Sequence, residues 1–328
     1  MSEHFKAMIV EQQAEKKFTR RIDNKTISEL PEGPLLIRVR YSSLNYKDAL
    51  SATGNPGVTK KYPHTPGIDA AGEVVEDASG KFKPGDQVVV TGWDLGMNTA
   101  GGFGEYIRIP AEWALALPAG LSMRDSMTLG TAGFTAGLCI HALAGKVAPD
   151  AGAILVTGAT GGVGSVAVAI LAKAGYRVVA VTGKPDQAEF LRQLGAREVI
   201  GREAVMENAN RPMMKERWAG AVDVVGGEML AAVLKSTCYG GIVTCCGLVG
   251  SPDLPINVFP FILRGVSLIG IDSVQFPMAE RPAVWGKLAG QWKIDLEALV
   301  KEVALDDLEE YIQTILKGGL RGRVLVRL

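Results

Sequence analysis

Charge of one sign is what this chain most plainly lacks. Its 328 residues carry 35 Lys and Arg against 35 Asp and Glu, with no long run of either sign. That balance argues against a surface built for nucleic acid or another polyanion. Cysteine is scarce: Cys139, Cys238, Cys245 and Cys246 sit in apolar segments at spacings that match no metal pattern. They are expected to be reduced, buried, small hydrophobes. No stretch approaches the ~18 consecutive apolar residues that span a bilayer. The opening MSEHFKAMIV is too polar for a secretory signal, so a cytoplasmic protein with no membrane partner is expected. Histidine occurs only at His4, His64 and His141, read as structural or exposed side chains.

Two enzymatic signatures are also missing. None of the seven tyrosines is followed by lysine four residues later, which disfavours the Tyr-x-x-x-Lys machinery of short-chain dehydrogenases. No Gly-Lys-Ser or Gly-Lys-Thr follows a glycine turn, so there is no P-loop.

What is present divides into two grammars. Up to about residue 120, short strands are separated by Gly and Pro: LLIRVRYS (Leu35 to Ser42), AAGEVVE (Ala70 to Glu76), GDQVVVTG (Gly85 to Gly92) and FGEYIRIP (Phe103 to Pro110). Their β-branched content suits a bent, largely antiparallel sheet or partial barrel. After that the period changes. A helical segment, Met127 to Leu143, leads into strand Ile154 to Thr157, helix Val163 to Lys173, strand Arg177 to Val181, helix Asp186 to Leu194 and strand Glu198 to Ile200. The alternation AVDVVG, EMLAAVLKS, GGIVTCCG continues it, as in a parallel sheet covered on both faces. The tail returns to the first grammar with a strand near Val303, a helix Leu308 to Lys317 and the strand GRVLVRL. The fold class is therefore α/β, a doubly wound domain (residues 125–297) inserted in a β domain (residues 1–124 plus 298–328). A chain of this length is expected to form two domains.

The densest motif is ILVTGATGGVGSVAVAILAKAG, Ile154 to Gly175, with four of its glycines between Gly158 and Gly164. It lies in a strand, glycine turn, helix, strand unit. There, a turn without side chains lets backbone amides approach a pyrophosphate, and the helix N-terminus adds partial positive charge. Ala159-x-Gly161-x-x-Gly164 is the dinucleotide fingerprint with alanine in the first place. The next strand ends at Thr182-Gly183-Lys184, where an NAD enzyme usually carries Asp or Glu for the ribose hydroxyls. Arg202, one strand further, would lie beside it. A cation pair for a 2′-phosphate, hence NADP(H), is one reading; two solvated surface cations are the other.

The motifs SSLNYKDAL, PGIDAAGEV, FKPGDQVV, GTAGFTA, VTGATGGVGS and FILRGVSLIGIDS, in this order, resemble the medium-chain dehydrogenase/reductase superfamily. More narrowly, they are similar to its zinc-independent quinone oxidoreductase branch, in the subgroup with bacterial acryloyl-CoA reductases. The resemblance covers essentially the whole chain and implies a Rossmann domain inserted in a GroES-like domain. Zinc-dependent relatives use an early cysteine and a Gly-His-Glu segment; here those places read Leu44-Asn45-Tyr46 and Gly67-Ile68-Asp69, so no metal is expected. Without a Lewis acid, hydride addition to an activated C=C bond is more reasonable than alcohol oxidation.

By the same resemblance, Asn45 and Tyr46 sit near the nicotinamide. Tyr46 is either a hydrogen-bond or proton donor or an ordinary half-buried tyrosine, and Lys47 and Asp48 are an orienting ion pair. Cofactor contacts are implied for Tyr46, Thr131, Thr160, Gly161, Gly162, Val163, Thr182, Gly183, Lys184, Arg202, Leu248, Ile262 and Ser273, with Arg323 closing the cleft. The expected activity is NADPH-dependent reduction of acryloyl-CoA, with small quinones or 2-alkenals as the alternative acceptors and an NADPH-retaining RNA-binding role as a remote one. Lys60, Lys61, Arg281 and Arg321 are candidate cations for coenzyme A phosphates. The apolar strand GVSLIGID, at the outer edge of the parallel sheet, is expected to pair in a homodimer.

Overall fold

The computed structural model describes residues 4–328. Two compact units emerge: residues 1–131, 274–286 and 299–328 in one, and residues 132–273 and 287–298 in the other. Residues 274–286, counted with the nucleotide-binding domain from sequence, pack in the first unit.

The first unit begins with an antiparallel hairpin, β1 (His4–Ala14) and β2 (Lys17–Thr26). The sequence reading placed no strand there. β2 is KFTRRIDNKT, mostly exposed and charged, and the turn contains no glycine; Lys16 itself takes the left-handed conformation at φ 59°. The usual hairpin signal is absent. β3 (Leu35–Leu44), the short helix α1 (Tyr46–Ala52), β4 (Asp69–Asp77), β5 (Gln87–Thr91), β6 (Tyr106–Ile109) and β7 (Ala114–Ala116) follow, and the four strands read from sequence are among them. Next comes α2 (Met123–Ala144), two helical segments merged across a kink at Gly130. α2 is long and apolar enough to cross a membrane, yet 78% of its most apolar window is buried, as befits a core helix.

The second unit holds β8 (Ala153–Val156), α3 (Gly162–Lys173), β9 (Arg177–Val181), α4 (Ala188–Gln193), β10 (Glu198–Ile200), α5 (Arg202–Met206), β11 (Trp218–Asp223), α6 (Gly227–Lys235), β12 (Thr237–Cys245), α7 (Phe259–Arg264) and β13 (Ser267–Gly270). The six strands are parallel in the order β10-β9-β8-β11-β12-β13. The chain thus starts in the middle, runs outward one way, and returns to run outward the other way. The two directions diverge between β8 and β11, the place where such sheets open a crevice at their carboxyl ends. Leu155, Val179, Ala221 and Val243 are buried from this sheet with Leu230, Val233 and Leu234 of α6.

After α8 (Arg281–Ala289), the chain adds β14 (Val300–Ala304), α9 (Leu308–Leu316) and β15 (Arg323–Arg327). β15 lies between β14 and β3 in a sheet ordered β14-β15-β3-β4-β5-β7, with β6 also on β3. All pairings there are antiparallel except β14 with β15. The C-terminal tail therefore completes the N-terminal sheet. Ile37, Val39, Val74, Val88, Val90 and Ile107 alternate inward to fill it.

Of the four cysteines, all free, Cys139 is buried but Cys238, Cys245 and Cys246 are only half-buried. Cys238 and Cys245 lie near the two ends of β12 and Cys246 just beyond it.

Candidate active site

In the second unit, the glycine turn between β8 and α3 brings the helix unusually close to the strand. A Cβ on Gly164 would lie 2.4 Å from the Gly158 carbonyl oxygen and 2.8 Å from Ala159 Cα. The third fingerprint glycine is therefore required by packing. A buried carboxylate the sequence reading passed over, Asp223, braces the turn. It accepts from Thr157 Oγ1 at 2.7 Å and from the Gly226 N–H at 2.7 Å, and Thr157 Oγ1 in turn accepts from the Val224 N–H at 3.1 Å. Burial pushes the Asp223 carboxyl up, against these hydrogen bonds. The signal was present, as Asp at the end of an otherwise apolar strand, but nothing local said that Thr157 would meet it.

The strand ends then assemble a recess lined by Thr157, Gly158, Thr160, Val181, Thr182, Gly183, Lys184, Arg202, Val225 and Met229. Thr160 and Thr182 are buried. The Thr182 N–H donates to the Ile200 carbonyl at 3.1 Å and the Lys184 N–H to Thr182 Oγ1 at 3.0 Å. Parallel pairing of β9 with β10 brings Arg202 beside Gly183, so closely that a Cβ on Gly183 would stand 2.8 Å from the guanidinium carbon. Burial pulls the Lys184 amine down; Asp186 opposes this and the Arg202 charge adds to it. Two cations and three threonines line one recess with no carboxylate among its lining residues, a chemistry suited to an anion. Nearby in sequence, Gly161, Gly162 and Val163 are half-buried at the start of α3.

Ser273, also buried, accepts from Thr135 Oγ1 at 2.8 Å. Leu248 and Ile262 are 66% and 72% exposed, an unusual state for such side chains and one that suits apolar contact with a ligand.

The first unit concentrates polar groups where β3, β4 and α2 meet. Asp69, fully buried, takes hydrogen bonds on Oδ2 from Ser43 Oγ (2.6 Å) and Asn45 Nδ2 (2.7 Å), and on Oδ1 from Thr131 Oγ1 (2.6 Å). The Thr131 N–H lies 3.0 and 2.9 Å from its two oxygens. That approach depends on Gly130, whose φ is 52° and where a Cβ would fall 2.4 Å from Ser43 Oγ and 2.5 Å from Asp69 Oδ2.

Arg323 is 3% exposed and turned into this cluster. It donates to the carbonyls of Thr128 (3.0 Å) and Leu44 (3.3 Å), to Asn45 Oδ1 (3.2 Å) and to Ser43 Oγ (2.9 Å), with Asp69 Oδ2 4.0 Å away. Burial pulls the guanidinium down and the Asp69 and Asp48 charges oppose it. Arg323 thus commits its side chain to partners inside the first unit. Asn45 commits its amide to Asp69, to the Ser43 carbonyl and to Arg323, which gives it a bracing task.

Tyr46, the first residue of α1, is 43% exposed. Asp48 does not pair with Lys47; it is fully buried and accepts from the backbone N–H groups of Asn45 (2.7 Å) and Ile68 (2.8 Å). Arg281 is likewise withdrawn from the candidate phosphate contacts. It is 2% exposed and donates to the carbonyls of Thr91, Val274 and Phe276 at 2.8, 2.9 and 3.0 Å. Lys60, Lys61 and Arg321 stay exposed.

Comparison with known proteins follows this geometry. Residues 31–119 match the alcohol dehydrogenase GroES-like domain and residues 162–289 the zinc-binding dehydrogenase family. The chain is 46% identical to the acrylyl-CoA reductase AcuI of Ruegeria pomeroyi over 98% of both chains. It is 45% identical to the putative quinone oxidoreductase YhfP of Bacillus subtilis over 100% of both, and the solved YhfP structure with NAD bound aligns at a TM-score of 0.97. The Salmonella enterica yhdH oxidoreductase in complex with NADP aligns at 0.95, with 44% identity over 98% of this chain and 99% of that one.

The chain belongs to the medium-chain dehydrogenase/reductase superfamily. This medium-chain oxidoreductase falls in the branch containing the quinone oxidoreductases and acryloyl-CoA reductases, despite the zinc in the family description. Its donor set does not fit that metal. Neither Leu44-Asn45-Tyr46 nor Gly67-Ile68-Asp69 offers a thiolate or imidazole at the ligand places, Asp69 is spent on Ser43, Asn45 and Thr131, and among the described residues no three His, Cys, Asp or Glu side chains converge. His64 lies buried with Nε2 2.9 Å from the Gly96 carbonyl, and burial pulls its pKa down; His141 Nδ1 meets Lys287 Nζ at 3.0 Å.

Asp48 makes the site's stability depend on pH. Burial first, and the Asp69 charge second, raise its pKa from 3.8 to about 7. The folded protein therefore holds a proton that the unfolded chain releases. The contribution is complete below the unfolded pKa and is lost as pH rises through about 7. Unfolding free energy measured in urea should fall between pH 5 and 7 with a slope from this group of up to ~1.4 kcal/mol per pH unit. Asp48→Asn should remove that part of the slope.

Proposed function

We propose that this oxidoreductase uses NADPH to reduce an activated C=C bond, with acryloyl-CoA giving propionyl-CoA. The single observation that carries the cofactor assignment is the Thr182, Gly183, Lys184 and Arg202 recess, with cations and no carboxylate where a 2′-phosphate would enter. Thr160, Gly161, Gly162 and Val163 would hold the pyrophosphate with backbone amides at the start of α3. Leu248, Ile262, Ser273 and Thr131 would border the nicotinamide side.

When bound, the nicotinamide supplies a hydride. Reduction of an enoyl thioester there would develop negative charge on the thioester oxygen and require a proton at the α-carbon. The protein's part is orientation and hydrogen bonding to that oxygen. Tyr46, exposed on the first turn of α1, is the side chain assigned to donate that hydrogen bond or the proton. The acyl acceptor is supported by the AcuI relative, while reduction of a small quinone is supported by the YhfP relative at nearly equal identity.

A homodimer completes the proposal. β13 is the outer strand of the parallel sheet, and Val258, Phe259 and Leu263 close before it are exposed, an apolar edge suited to a second copy.

Three measurements test this reading. Arg202→Ala should weaken NADPH binding by roughly 10–100-fold, the range for one charge-assisted contact, and leave NADH within about threefold; equal losses for both would remove Arg202 from the phosphate site. In an NADPH-consumption assay, acryloyl-CoA should be preferred over acrylate, a small enone and benzoquinone, whereas turnover of benzoquinone alone would select the quinone reading. Light scattering at micromolar concentration should give twice the 34.8 kDa chain mass; a monomer would overturn the dimer.

A further inference from the structure

The two buried carboxylates of the first unit exchange partners. Asp48, on α1, reaches back to the Ile68 N–H, immediately before β4; Asp69, on β4, reaches to the Asn45 side chain, immediately before α1. Asp48 also receives the Asn45 N–H, so Asn45 is held through its backbone by one carboxylate and through its side chain by the other. Arg323 holds the remaining amide oxygen. The residue that all these contacts fix is the one preceding Tyr46.

We propose that Asp69 is a positioning residue of the reductase site: it holds Asn45 and Thr131 in place and, through Asn45, sets where Tyr46 stands. This rests on the functional reading above for its kinetic readout. Three facts argue for positioning over mere packing. A buried carboxylate is a poor way to gain stability, since apolar replacements of such charged clusters often serve as well. Its donors come from two distant segments, Ser43 and Asn45 at the junction of β3 and α1 and Thr131 from beyond the α2 kink. Finally, Gly130 must adopt φ 52° for Thr131 to reach it, so the backbone is bent to satisfy Asp69. Fixed side-chain orientation is what such a lattice supplies, and misplacement of a reacting group by about 1 Å can cost ~100-fold in rate.

The test replaces Asp69 by Asn in the full-length protein, with 3-fluorotyrosine incorporated at position 46. Three quantities are read: kcat, the NADPH dissociation constant by fluorescence titration, and the 19F line shape of residue 46. The expected result is a kcat loss of at least ~30-fold, NADPH affinity within threefold of the parent, and a single fluorine line that broadens or splits. Ser43→Ala, which removes one donor and keeps the carboxylate, should shift all readings the same way with a kcat loss of about two- to fivefold. Asp69→Asn with kcat within threefold and an unchanged line overturns the proposal, and so does a loss of kcat with an unchanged line, because Asp69 would then not act through Tyr46. If Asp69→Asn fails to fold, Ser43→Ala decides: unaltered kcat and line shape overturn it. If the parent protein reduces none of the acceptors, the functional reading falls, and the fluorine line shape alone decides whether Asp69 positions Tyr46.

Discussion

A carboxylate removed from water demands hydrogen-bond donors on both oxygens and a compensating charge within a few ångströms, and much of the first unit is arranged around meeting that demand at Asp69. Ser43 with Asn45, Thr131 and Arg323 come from three places in the sequence, and each is held where it is by what it gives to this side chain or to a neighbour of it. Removing one member of a buried ionic group of this kind costs about 3–5 kcal/mol, because the partner charge is left without compensation. The return of the C-terminal strand to pair with β3 has the same logic: β15 carries Arg323 as its first residue and delivers it into the cluster.

The second unit faces the opposite electrostatic problem. Lys184 and Arg202 repel each other, and burial works against the Lys184 charge as well. Two like charges held this close at one recess favour a negative partner over an uncharged one. The buried Asp223 is outside the recess lining and already satisfied by Thr157 and Gly226. In both units, buried carboxylates (Asp69 in the first, Asp223 in the second) tie together backbone and side-chain groups from separate segments.

Much of this was legible in the residues. The strand and helix alternation from Ile154 to Cys245 is a period signal, and the strands Arg177–Val181 and Glu198–Ile200 lie where the pattern put them. The juxtaposition of Arg202 with Lys184 followed from parallel pairing of successive strands, a rule of topology that needs no coordinates. What escaped did so for physical reasons. The hairpin β1–β2 lacks turn glycines and a two-sided apolar pattern, because β2 exposes most of its side chains. Arg281 looked like a surface cation because arginine usually is one; its burial is compensated by the carbonyls of Val274 and Phe276 close in sequence, the Thr91 carbonyl 190 residues away, and the Trp93 ring.

The sequence by itself determined the order of the elements, the dinucleotide turn, and the lack of donors for zinc, since each depends on neighbours a few residues apart or on which atom types are available at all. The tertiary structure decided the tasks of Asn45, Asp48, Asp69 and Arg323. Adjacent in sequence, Lys47 and Asp48 invite an ion pair, but the first turn of α1 sends Asp48 inward to the Ile68 N–H. Whether a polar side chain serves a ligand or the fold depends on how many of its hydrogen bonds are already taken, and that is settled by groups tens to hundreds of residues away in the chain.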